Sequence, residues 1–221
     1  MVVELFTSEG CSSCPPADQL VARLEREQPV AQADIVILGE HVDYWNQLGW
    51  PDRFAAGAFT ARQQRYARAL ASDDVYTPQL VVDGQVGFSG SDAARAVREI
   101  RRAAGMPHAS LSARRSGDNV TLTTQQFPPG TKSVEIFLAI TEDALSSEVR
   151  RGENAGRRLS HAGVVRSLLS VAKFDARKSP AFSTDIPLHL LDEWNRANLH
   201  AIVFAQDRDS MRILGTASLR L

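Results

Sequence analysis

The chain's two cysteines stand in Cys11-Ser12-Ser13-Cys14, directly after the apolar run Val2–Thr7 and directly before Pro15-Pro16 and a segment of helical period. No other feature restricts the fold as much. Two thiols supply neither a four-thiolate zinc site nor a disulfide framework, so stability must come from a buried core. The 221 residues are 43% hydrophobic and 23% charged, the profile of an ordinary globular protein with such a core. A thiol at a helix N-terminus has its anion stabilised by the macrodipole and by free backbone N–H groups. The two-residue spacing lets the second sulfur reach the first across one turn, so a mixed disulfide can resolve internally. Pro15 and Pro16 suit this position, because first-turn N–H groups have no intrahelical partner. By position Cys11 is expected to be the exposed nucleophile and Cys14 the more buried resolving thiol.

Strand and helix periods alternate up to Gly105-Met106-Pro107. Leu20, Val21 and Leu24 recur at helical spacing within Ala17–Gln28, and Ile35–Leu38 reads as a strand buried on both faces. Phe59, Tyr66 and Leu70 space a second helix. Leu80–Val82, the turn Asp83-Gly84 and Val86–Phe88 read as a hairpin. Ala93, Val97, Ile100 and Ala104 mark a third helix. The order is β-α-β-α-β-β-α over residues 1–105. Beyond Pro107 the helical period fades. Strand candidates at Leu111–Arg114, Val120–Thr124, Val134–Ile140, Val164–Leu168, Ile186–Leu188, Ala201–Gln206 and Ile213–Leu219 predict a mainly-β, sandwich-like domain over 106–221. Leu190–Asn198 is expected to hold a helical turn or two. Charge changes sign at the same junction, from −4 over residues 1–105 to +3 over the rest.

Tyr76-Thr77-Pro78 immediately precedes Leu80-Val81-Val82. The element order, the cysteine pair after the first strand and the Thr-Pro entering the third together resemble the thioredoxin fold over residues 1–104. In that family the proline matching Pro78 is cis and faces the cysteine pair, so the resemblance implies that Thr77 and Pro78 form a substrate-docking edge. It also implies a thiol–disulfide oxidoreductase that acts on protein or small-molecule thiols and disulfides. Cys11 would attack and Cys14 resolve, with no organic cofactor, because the pair is itself the redox carrier. The chain departs from the pattern twice. Leu5 stands where thioredoxins bury a carboxylate, with Glu4 on the opposite strand face, so the proton-shuttle role does not transfer. Ser12-Ser13 replaces the usual dipeptides, which leaves the potential unassigned.

An aromatic insertion at about 41–57 follows the second strand and emerges on the edge that carries the cysteines, where open α/β sheets place their sites. His41 is read either as a satisfied structural residue, the usual place of a lone histidine, or as an ion-pair partner that raises Cys11 reactivity. Trp45 either walls a peptide groove or, with Trp50, packs the insertion onto the domain. In the second half, Arg150-Arg151-Gly152-Glu153-Asn154-Ala155-Gly156-Arg157-Arg158-Leu159-Ser160-His161, with its arginines at 150–158, admits three readings: an anion-binding loop, an interdomain clasp or a solvated hairpin loop. This segment, Val164-Val165-Arg166 and the N-terminal Glu4–Pro16 resemble a family of bacterial thioredoxin-like proteins, often exported and of unknown function. That resemblance implies a periplasmic or secreted location, and the expected form is the mature one, since Val2–Phe6 reads as a strand rather than a leader.

Two other functions stay open. The first is copper binding or metal delivery through Cys11, Cys14 and His41, since Cu(I) suits soft thiolates. The second is a non-enzymatic thioredoxin-like binding module with a static disulfide. Charge excludes more firmly: 25 basic against 26 acidic residues argue against a nucleic-acid binder. No stretch approaches the ~20 apolar residues of a bilayer span. No segment marks an oligomeric state.

Overall fold

The computed structural model describes residues 1–72 and 74–221. Its first half runs β1 (Val2–Thr7), α1 (Pro15–Glu27), β2 (Val36–His41), α2 (Gly57–Ala69), β3 (Gln79–Val82), β4 (Val86–Ser89) and α3 (Ala93–Ala104). β1 lies parallel to β2, from Val2 opposite Val36 to Thr7 opposite His41, and antiparallel to β3. Because α1 follows β1 directly, the loop with both cysteines is delivered to the C-terminal edge of the central strands. At the other end of α1, Gln28 closes the helix in the left-handed region (φ 44°). Its side-chain amide then binds both backbone groups of Ile35, at 2.8 and 2.9 Å, and so aims the chain into β2. The β3–β4 hairpin turns on Asp83 and Gly84, both at positive φ, as a right-twisted two-stranded ribbon requires.

Alternation along β1 and β2 sorts their side chains. Val3, Leu5 and Ile37 pack under α1 and α3. Val2, Val36 and Leu38 face the opposite way, beneath Phe59 of α2. Glu4 and Glu40 share this second face, fully buried, and α2 meets them with Arg62 and Tyr66. Arg62 Nε lies 2.5 Å from a Glu4 oxygen and 3.3 Å from a Glu40 oxygen. The Tyr66 hydroxyl donates to Glu4, and Gln206 accepts from Arg62 Nη1 at 3.1 Å. Burial and the neighbouring Glu4 hold the Glu40 carboxyl well above the usual range. Glu4 is thus the closer ion-pair partner of Arg62.

The second half contributes β5 (Ser110–Ser116), β6 (Asn119–Gln125), β7 (Ser133–Glu142), β8 (Leu145–Glu148), β9 (Arg158–His161), β10 (Val164–Asp175), β11 (Ala181–Pro187), β12 (Leu199–Asp207) and β13 (Ile213–Arg220). The expected turn in Leu190–Asn198 is a single 3-10 turn, Arg196–Asn198. β9 falls inside the segment read as an arginine loop and pairs with β8; four-residue strands are too short to show a period. A three-stranded sheet, β11-β6-β5, packs Val120, Leu122 and Ile186 onto Ile136, Leu138, Ile140, Ala201 and Val203 of the larger sheet. That larger sheet has eight strands in the order β13-β12-β7-β10-β2-β1-β3-β4, so it runs on across Gly105. The crossing is one parallel pair, Val164 opposite Gly39, with Gly39 N–H donating to Gly163 O at 2.7 Å. A Cβ on Gly163 would lie 2.6 Å from Ile37 O; the strands meet there only because glycine has none.

Candidate functional site

Cys11 and Cys14 form a disulfide with Cα atoms 5.5 Å apart. Cys14 is the N-cap of α1, and prolines occupy its first two positions, as the missing N–H of proline allows. Ser12 and Ser13 are exposed, but both cysteines are 0% exposed. The expectation of an exposed Cys11 is corrected on this point: neighbouring segments from both halves of the chain close over it.

On one side stands the third strand's entry. The Thr77–Pro78 peptide is cis, and Pro78 is buried. A Cβ built on Gly90 would lie 3.0 Å from each of Pro78 Cβ, Ala17 Cβ and Leu5 Cδ1. Pro78 and Ala17, in the first turn of α1, thus flank Gly90 from two sides. The aromatic insertion braces this arrangement. Trp45 Nε1 donates to Thr77 Oγ1 at 2.8 Å, and its Cβ backs onto Gly10. Trp50 Nε1 donates to Glu9 at 2.7 Å. His41 takes a structural place. It is buried with Nδ1 2.6 Å from Asp52 Oδ2, and its ring packs edge-on against Phe54 and His161. Asp52 also accepts from the Glu9 N–H at 2.8 Å. His41 therefore positions the loop through Asp52. Among the described residues no three His, Cys, Asp or Glu side chains converge to hold a metal ion while Cys11 and Cys14 are joined in the disulfide.

On the other side lies the arginine-rich segment. Its charged members Arg150, Arg151, Arg157 and Arg158 are exposed. The contacts come from the two residues between them. Asn154, 0% exposed, donates its amide to Glu9 O and to Cys11 O, both at 2.9 Å. Glu153 accepts from the Ser12 N–H at 3.0 Å. Gly152 lets the segment pack on Gly49 and Trp50. The arginines do not make the clasp expected of them; Glu153 and Asn154 join the segment to the cysteine loop instead. Nothing in the residue pattern signalled this, because a polar pair inside a charged run reads as solvated surface.

At the foot of the segment, His161 of β9 is buried among acids, Nε2 3.3 Å from Glu9 and Nδ1 3.8 Å from Asp18. Burial alone lowers its pKa, but Asp18 and Glu9 outweigh that and hold it up to about 9. The folded value exceeds the ordinary one of about 6.5, so the contribution to stability is complete below pH 6.5 and is lost as pH rises through 9. Urea midpoints are expected to fall between those values by the equivalent of roughly 3 kcal/mol. His161→Gln should flatten that slope, and a variant that keeps it would refute the assignment.

The family model for proteins of unknown function designated DUF1223 matches residues 2–206, and this chain belongs to that family. A crystal structure of a protein from Agrobacterium tumefaciens, solved as a structural-genomics target, is similar at 27% identity and a TM-score of 0.74, over 99% of this chain and 92% of that one. A domain of the outer membrane lipoprotein Omp28 from Porphyromonas gingivalis aligns with 52% of this chain and 89% of its own length at 9% identity. Its TM-score of 0.28 is too low to carry any argument. No curated protein matches the chain. Among the described residues no helix is long and apolar enough to cross a membrane.

Proposed function

We propose that this chain is a thiol–disulfide oxidoreductase whose first half, residues 1–105, is a thioredoxin-like unit, with Cys11 and Cys14 as the redox pair and Thr77 and Pro78 as the docking edge. The observation that carries the reading is the disulfide at the N-terminus of α1 together with the cis Thr77–Pro78 peptide, whose proline borders the same glycine, Gly90, as Ala17 of that helix. In the oxidising direction a substrate thiolate attacks Cys11 Sγ. The Cys11–Cys14 bond breaks, a mixed disulfide forms, and Cys14 departs as a thiolate that takes up a proton. A second substrate thiolate then attacks the substrate sulfur of that mixed disulfide. Cys11 is released as a thiolate, which the first turn of α1 stabilises. The substrate leaves oxidised by two electrons, and the pair holds those electrons as two thiols. Reduction runs through the same steps in reverse. Protein or small-molecule thiols are the partners, and a periplasmic or secreted location suits the chemistry.

A static disulfide in a binding module is the second reading, favoured by one observation, the burial of both sulfurs. The redox equilibrium of Cys11–Cys14 in glutathione buffers, read by alkylation and mass, separates the two. A potential between about −270 and −120 mV is expected of the enzyme, and one below about −300 mV would make the disulfide structural.

A further inference from the structure

We propose that Val149–Arg157 is a lid over the cysteine pair, latched by Asn154, and that it must lift before any thiol or disulfide reaches Cys11. Its purpose rests on the redox reading above; its existence rests on geometry alone. Thiol–disulfide exchange needs the incoming sulfur behind Cys11 Sγ, in line with the bond to Cys14. With neither cysteine exposed, that approach is closed, and some covering segment has to move.

The two covers differ in how they are held. The insertion is anchored by large rings and by the buried His41–Asp52 pair, which itself fixes the Glu9 N–H. Val149–Arg157 meets the cysteine loop through three polar contacts, Glu153 with the Ser12 N–H and Asn154 with two carbonyls. It is also folded on itself. Val149 N–H donates to Arg157 O at 2.9 Å, Gly156 N–H to Val149 O at 2.8 Å, and Arg157 N–H to Asn154 O at 3.1 Å. Those bonds close a loop that can move as one piece about its Val149–Arg157 stem. Beyond the stem, His161 fixes β9 to Glu9 and Asp18, so the hinge stays in place while the tip lifts. The exposed arginines give up no burial in the movement.

The latch also acts on ionisation. Glu153 places a carboxylate on the Ser12 N–H, beside the position where a Cys11 thiolate would develop. A closed lid disfavours that thiolate by like-charge repulsion, and lifting removes the repulsion. Access and nucleophilicity are then released by one motion.

The test follows reduction of the oxidised full-length chain by a neutral phosphine, tris(hydroxypropyl)phosphine, with quenched alkylation. The phosphine attacks one sulfur, the other leaves as a thiolate, and water converts the adduct to phosphine oxide and the second thiol. Reduction therefore proceeds whatever the potential of the pair. Asn154→Ala should raise the rate about tenfold or more, the factor one hydrogen bond is worth in an opening equilibrium. Glu153→Gln alters only an exposed side chain and should give a rise of about threefold, which keeps the test open if the first variant misfolds. Because a lid exposes little surface, the wild-type rate should be nearly flat in sub-denaturing urea, whereas exposure by global unfolding would climb with the full unfolding slope. Variant rates within about twofold of wild type, or a rate that tracks global unfolding, would overturn the lid. The potential measurement fails or succeeds separately: a gated pair of very low potential keeps the lid and removes the enzyme, and an ungated pair of catalytic potential does the opposite.

Discussion

Cys11→Ser should reduce thiol–disulfide exchange to background, while Cys14→Ser should accumulate covalent adducts through Cys11. The asymmetry follows from their places. Cys11 lies before the helix and Cys14 is its N-cap, so a mixed disulfide on Cys11 is resolved by a sulfur one turn away. Without Cys14 nothing in the chain can resolve it, because the sequence holds no other cysteine. Incubation of Cys14→Ser with oxidised glutathione, read by intact mass, should show one glutathione per chain, and Cys11→Ser none. Equal labelling of the two variants would mean that position does not set their roles, and the mechanism above would fall. Both variants should be compared with reduced wild type. Losing a disulfide that closes so short a loop costs only about 2 kcal/mol by chain entropy, too little to unfold a chain of ordinary stability.

Arg62→Met is expected to be the most destabilising single change in the first half. Its guanidinium is the cation between the buried Glu4 and Glu40, and it is enclosed by the rings of Tyr66, Phe137 and Phe204 at 5.2 to 5.4 Å. Removing one partner of a buried pair leaves a charge without compensation and costs about 3–5 kcal/mol, a large part of the roughly 5–15 kcal/mol that holds a domain together. The penalty belongs to the abandoned carboxylate rather than to lost packing. Arg62→Met combined with Glu4→Gln should therefore recover most of it. Urea midpoints of the two proteins decide the matter, and a double variant as unstable as the single one would show that the arginine mattered for its shape.

Most of the first half was legible because its periods are clean. Phe59 and Tyr66 fixed the inward face of α2, yet the same face carries Arg62 and Gln63, both buried. Their spacing of three and four residues from Phe59 was a visible signal, overridden by the rule that arginine and glutamine face water. Cys11, Cys14, Thr77 and Pro78 were singled out from motif and element order; the structure joins the two cysteines in a disulfide and makes the Thr77–Pro78 peptide cis. His41 was noticed, but its Asp52 partner was not, since that pairing depends on how the insertion folds back. Asn154 was legible only as part of a charged run. Its contacts lie more than 140 residues away in sequence, and no local pattern encodes them. The continuous sheet was hidden for the same reason: Gly39 and Gly163 are ordinary glycines until two distant strands are laid side by side.

That shared sheet bears on how such a chain can be varied by recombination. A redox unit joined to its neighbour by a linker can be exchanged, duplicated or fused as a cassette. Here Val164 borders Gly39, the Ile213 N–H donates to Asp83 O at 2.9 Å, and Val2, Leu38 and Phe59 share one apolar cluster with Phe137, Phe204 and Ile213. A cut at Gly105 would strip the flank of β2 and leave an unprotected strand edge beside bare hydrophobic surface, the combination that invites aggregation. Descent within such an architecture favours drift of the two halves as a matched pair over shuffling of either with foreign partners.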